Sequence, residues 1–210
     1  MKRLKFFVFV LLALLGAPSV ANAEIALLAY DDFVGITFWL ASMVCLAATI
    51  FFFIERGSVP AGWRVSITVA GLITGIAFMH YMYMRSVYVQ TGDAPTAYRY
   101  IEWLITMPLL MVEFYFVLAA VRKVSVGIFW RLLFGSLVMV FGAYLGQSNF
   151  INDILGLVIS IAGWIYILYE IFSGEAGRAA AKSGNKTFVS AYGAMRMIVT
   201  VGWAIYPLCY

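Results

Sequence analysis

The sequence predicts an all-α membrane protein. Three observations carry that prediction: an apolar composition, six apolar stretches each long enough to cross a bilayer, and basic residues that gather in alternate connections. Of the 210 residues, 64% are hydrophobic and 11% are charged, and the mean hydropathy is +0.96. An ordinary soluble domain carries roughly 25% charged residues. The net charge of +4 does not point to a nucleic-acid partner, because Lys and Arg fall in short connections between apolar stretches, where they act as topology signals.

The N-terminus, "MKRLKFFVFVLLALLGAPSVANAE", has a basic start (Lys2, Arg3, Lys5), a short apolar run and the small-residue site "ANA" at 21–23. This pattern predicts a secretory signal peptide over 1–23, cut after Ala23, and leaves 24–210 as the transmembrane domain. A span needs about 20 apolar residues. The first span reads from about 33 to 54, opening at "FVGITFWLASMVCLAATIFFF", and the second over about 65–86. The third is about 96–121, the fourth 129–146 and the fifth 153–173; the sixth begins near 188 and is still running at Tyr210. Cys45 and Cys209 both lie in apolar segments and read as free buried thiols rather than a disulfide framework.

The connections predict orientation. Arg56 and Arg64 lie between the first and second spans; Arg122, Lys123 and Arg131 between the third and fourth; Arg178, Lys182 and Lys186 between the fifth and sixth. The opposite side carries Arg85, balanced by Asp93, and Asp153. Lys and Arg collect on the cytoplasmic side, so the N-terminus lies outside, as a cleaved signal also requires.

The third span contains "RYIEWLITMPLLMVEFYF", residues 99–116. A charge at mid-bilayer costs roughly 2.5–3.5 kcal/mol on insertion scales, so Arg99, Glu102 and Glu113 are functional candidates. Glu102 and Glu113 are about 16 Å apart along a helix axis and, at nearly three whole turns, share a face. Thr106 lies on that face, four residues from Glu102. With a cation one turn away Glu102 favours the ionised form, whereas Glu113, among Met111, Val112, Phe114 and Tyr115, favours the protonated form. Two carboxyls in such unlike surroundings can act as proton acceptor and donor, a relay polarised outward; singly, each also fits a helix–helix hydrogen bond. No phosphate loop, metal cluster or dinucleotide fingerprint is present, which leaves light or a gradient as the energy source. Trp103, Trp164, Trp203 and Tyr206 could clamp an elongated apolar cofactor or pack as ordinary core rings, and Pro207 inside a span interrupts the backbone ladder.

The segments "GIAFMHYMYMR", "RYIEWLITMPLL", "GSLVMV" and "GWAIYP" resemble the microbial rhodopsins, in particular the proteorhodopsins, over about 31 to 210. The resemblance implies a seven-transmembrane-helix bundle, of which this chain supplies helices A–F, and all-trans retinal on a lysine Schiff base. It also implies light-driven outward proton transport in the inner (plasma) membrane, with lipid, retinal and protons as partners, no nucleic acid, and a homo-oligomer. Carried over by position, Glu102 is the proton acceptor and counterion, Thr106 the intervening hydroxyl, Glu113 the proton donor, Arg99 the outward arginine and His80 the histidine paired with the acceptor. Trp103, Leu110, Met139, Trp164, Trp203, Tyr206 and Pro207 map to the retinal pocket, and Leu at 110 resembles the green-absorbing forms. Two departures stand out. Glu102 replaces the family's usual Asp, one methylene longer, and misplacement near 1 Å can cost about 100-fold at a reacting site. No lysine lies mid-span, and the expected seventh helix with its lysine is absent before Tyr210, so the chain reads as a fragment that would not form a covalent pigment. The alternatives are a sensory photoreceptor built on the same pocket, and a nonfunctional partial chain without covalent retinal.

Overall fold

The structure is a computed structural model that describes residues 31–93 and 96–208; the signal-peptide reading over 1–23 lies outside them. The described residues form α1 (Phe33–Glu55), a 3-10 turn (Ala61–Trp63) that runs into α2 (Arg64–Thr91), α3 (Thr96–Val121), α4 (Val126–Gln147), α5 (Asp153–Phe172), α6 (Glu175–Ala181) and α7 (Lys186–Met197). A π-helical turn (Ile198–Gly202) then leads into α8 (Trp203–Leu208). Six helical stretches are long and apolar enough to cross a membrane, at the six places the hydropathy predicts. No strand occurs among the described residues. The chain is thus a multi-pass α-helical membrane protein, and large side chains such as Trp130, Phe134 and Ile198 stand outward, as lipid contact allows and water would not.

Local chemistry sets the helix ends. Ser125 begins α4 by accepting the Gly127 N–H at 3.1 Å. Asn152 begins α5 by accepting from Ile154 and Leu155 at 3.0 and 3.3 Å, and Asn185 begins α7 by accepting from Phe188 at 3.0 Å. Each side-chain oxygen satisfies N–H groups that a helix start leaves unpaired. Gly92 ends α2 in the left-handed region at φ 72°, where a residue without Cβ pays no steric penalty.

Polar and small residues weld neighbouring helices, because lipid provides no hydrophobic push between them. Thr49 on α1 meets Thr74 on α2, Oγ1 to Oγ1, at 2.9 Å. Between α4 and α5 the contact is closer. A Cβ on Gly156 would lie 2.5 Å from the Gly146 Cα and 2.9 Å from the Gly142 oxygen, and one on Gly163 would lie 2.6 Å from the Met139 nitrogen. The buried core gathers around Met111, Phe114, Leu118, Ile128, Leu132, Ile167, Ile171 and Tyr192, so α3, α4, α5 and α7 converge on one half of the bundle.

Candidate functional site

The α3 helix places the acids. Glu102 and Thr106 are buried, at 8% and 5% exposure, and the Thr106 hydroxyl donates to Glu102 Oε1 at 2.8 Å while also reaching the Glu102 carbonyl at 3.1 Å. One hydroxyl hydrogen cannot serve both well at once; the shorter contact is to the carboxylate, where a charge-assisted bond is the stronger. Glu113 reaches across to α2, where the buried Ser66 hydroxyl donates to its Oε1 at 3.2 Å. Its helix neighbours Met111, Val112, Phe114 and Val117 are all buried and apolar. Each acid therefore has one hydroxyl donor, but Glu102 is served from its own helix and Glu113 from another. Ser66 was missed in the sequence, because a serine 47 residues away carries no periodic signal toward Glu113.

Arg99 departs from the predicted stripe. Three residues rotate a helix by 300°, leaving Arg99 about 60° from Glu102. The structure makes no ion pair between them; the ion pairs found among the described residues join Arg131 to Glu170 and Glu175. Arg99 instead lines a cleft with Tyr100, Trp103 and Met107 of α3, Met139 and Gln147 of α4, Ser160 and Trp164 of α5, and Trp203 of α8. The cleft face of α3 thus lies beside the acid face rather than on it. Arg99 and Gln147 sit toward the ends of α3 and α4, Tyr100 and Ser160 add hydroxyl groups, and three indoles, two thioethers and a few aliphatic side chains make the rest.

Four of the predicted pocket residues, Trp103, Met139, Trp164 and Trp203, meet in this cleft. Leu110 is half-buried and packs against the adjoining core. Tyr206 and Pro207 fall in α8, but their side chains lie outside the described part. His80 is half-buried on α2 with its ring edge-on to Tyr81, centroids 6.1 Å apart, and no hydrogen bond joins it to Glu102. The cleft suits an apolar ligand: three indoles and two methionines line it, and the buried Trp164 Nε1 has no hydrogen-bond partner. Among the described residues, no lysine lines it. The π-helical turn at 198–202 immediately precedes Trp203; such turns are frequent at functional sites.

The described helices thus form a multi-pass membrane bundle with buried acids along one helix and an indole-lined cleft beside them. The profile of the family described as bacteriorhodopsin-like protein matches residues 32–210, and the chain belongs to that family, the microbial rhodopsins. It is 50% identical over 204 residues to the blue-light absorbing proteorhodopsin of Gamma-proteobacterium Hot 75m4, covering 95% of this chain and 80% of that protein. It is 48% identical over 180 residues to the green-light absorbing proteorhodopsin of Gamma-proteobacterium EBAC31A08, covering 86% and 72%. Among solved structures, the blue light-absorbing proteorhodopsin from Med12 matches with a TM-score of 0.70 at 46% identity, over 84% of this chain and 79% of that one. Xanthorhodopsin, titled a light-driven ion pump with dual chromophore, matches with a TM-score of 0.75 at 25% identity, over 84% and 77%. The seven-helix bundle and proteorhodopsin likeness read from the motifs are borne out.

Proposed function

We propose that this chain belongs to a light-driven outward proton pump that uses all-trans retinal, with the N-terminus outside and the basic connections in the cytoplasm. The observation that carries the reading is the second acid: Glu113 lies in apolar surroundings on the same α3 face as Glu102, with a hydroxyl of another helix as its partner. A photoreceptor that only signals has less need of a proton donor on that side. The likeness to the proteorhodopsins and to xanthorhodopsin, a light-driven ion pump, supports the same reading.

Retinal, held between Trp103, Met139, Trp164 and Trp203, would supply light absorption and a light-driven change of shape. The protein's own groups then set direction. Glu102 accepts a proton on its carboxylate, and the Thr106 hydroxyl fixes the orientation of Oε1 while it does so. Arg99, with Gln147, offers positive charge and hydrogen bonds at the outward end of the cleft, where a released proton is repelled toward solvent. Glu113 gives up a proton from the inward side, and Ser66 holds its carboxyl toward α2. The apolar residues around Glu113 exclude water, so its proton moves only when a path opens.

The test uses cells expressing the chain together with a lysine-bearing helix from a homologue, since no lysine lines the cleft among the described residues, supplied with retinal and illuminated in unbuffered medium. The expected result is outward acidification that an uncoupler abolishes and that Glu102→Gln removes. External pH that stays flat under light in a coloured preparation would contradict the proposal.

A further inference from the structure

We propose that the short helix α6 is a releasable cap over the route by which protons reach Glu113, fastened by Glu170 at one end and Arg122 at the other. This rests on the reading of Glu113 as proton donor and extends it. Glu170, 3% exposed, lies in the last turn of α5, and its Oε1 accepts twice: from Arg131 Nη2 of α4 at 3.1 Å and from the Ala176 N–H of α6 at 3.1 Å. The same Arg131 nitrogen donates to Glu175 Oε2, at the first residue of α6, at 2.6 Å. At the far end Arg122, just past the end of α3, donates Nη1 to the Ala179 and Lys182 carbonyls at 3.3 and 3.1 Å. Those carbonyls are among the groups a helix end leaves unpaired.

The cap closes on the route to Glu113. Ala176 and Ala180, at 0% and 3% exposure, belong to the same buried cluster as Val117, Leu118, Phe188 and Tyr192. Val117 and Leu118 are the turn of α3 that follows Glu113, and nine residues, about 14 Å of helix, separate Glu113 from Arg122. This apolar cluster is therefore the plug between the donor and the basic end of the bundle, with α6 as its outer layer. The Arg131–Glu170 pair, with Arg131 half-exposed and only Glu170 buried, is a weak source of stability compared with apolar packing. A seven-residue helix whose seat depends on a buried carboxylate and two guanidinium groups is held at few points, and loss of either fastening frees one end. Glu170, Arg131 and Arg122 are positioning residues, acting on Glu113 only through α6.

The test is deuterium exchange of the full chain in lipid nanodiscs, in the dark and without retinal, followed by infrared spectroscopy in acidic buffer and by mass spectrometry. The Glu113 carboxyl band is assigned by its loss in Glu113→Gln. Glu170→Gln and Arg122→Gln should each speed exchange at the Glu113 carboxyl and at amides 175–181 by about tenfold, the effect of one charge-assisted hydrogen bond. Exchange at Glu102 should not change, nor should any of these in the surface control Lys123→Gln. Faster amides with an unchanged Glu113 would overturn the cap, as would no acceleration at either place. If Glu170→Gln does not fold, Arg122→Gln decides by the same criteria. Light and pumping play no part, so failure here leaves the pump reading intact and is told apart from a flat pump assay.

Discussion

Thr106 and Ser66 give the same kind of bond to two acids in different halves of one helix, and the difference in origin of those bonds matters. The donor to Glu102 is four residues away on the same helix, so it moves with the acid. The donor to Glu113 sits on α2, so any separation of α2 from α3 breaks it. Thr106→Val should remove the partner of a buried carboxyl at a cost of about 1–3 kcal/mol and shift the Glu102 carboxyl stretch in the infrared without touching that of Glu113. Ser66→Ala should do the reverse. A Ser66→Ala spectrum in which only the Glu102 band moves would refute the pairing seen here. Glu102, Thr106 and Glu113 were legible in sequence because charge in an apolar span is conspicuous and helix periodicity assigns a face. Arg99 was harder: its long side chain and 60° offset carry it into the neighbouring cleft. The contact between Glu113 and Ser66 was illegible because it is long-range.

At the scale of elements, α4 and α5 form a close joint, where Gly142, Gly146, Gly156 and Gly163 bring backbones into contact. Gly156→Ala must force the helices apart and should cost about 1–3 kcal/mol, as overpacking does. Gly193→Ala on α7 meets only the Arg196 Nη2 at 3.9 Å and should be neutral or stabilising by up to about 1 kcal/mol, since Ala is the better helix former. Thermal unfolding in detergent checks both; equal losses would mean that the close approach is not what the glycines serve. The number and position of the membrane-crossing stretches followed from hydropathy alone, since backbone groups in lipid must pair within helices. The short α6 escaped prediction: "EAGRAAA" is too short for a periodic signal, and its seat depends on Glu170 and Arg122, residues remote in sequence.

At the scale of the molecule, the proposed orientation in the membrane rests on the basic connections. Single cysteines at Lys186→Cys and Asp93→Cys, in a chain lacking Cys45 and Cys209, should react with a membrane-impermeant maleimide from opposite sides: Lys186→Cys only after the cytoplasmic face is opened, Asp93→Cys in intact cells. The reverse pattern would invert the relay and make the proposed pump inward. Given that orientation, Glu102 faces the outer half and Glu113 the inner, and illumination should drive a proton onto the first and off the second. Time-resolved infrared difference spectroscopy of the protein, co-expressed with a lysine-bearing helix from a homologue and loaded with retinal, tests this most directly. The account predicts a carboxyl band that appears first and is lost in Glu102→Gln, followed by the depletion of a band that is lost in Glu113→Gln. Two bands that rise and fall together, or no change at either acid while the pigment cycles, would contradict it.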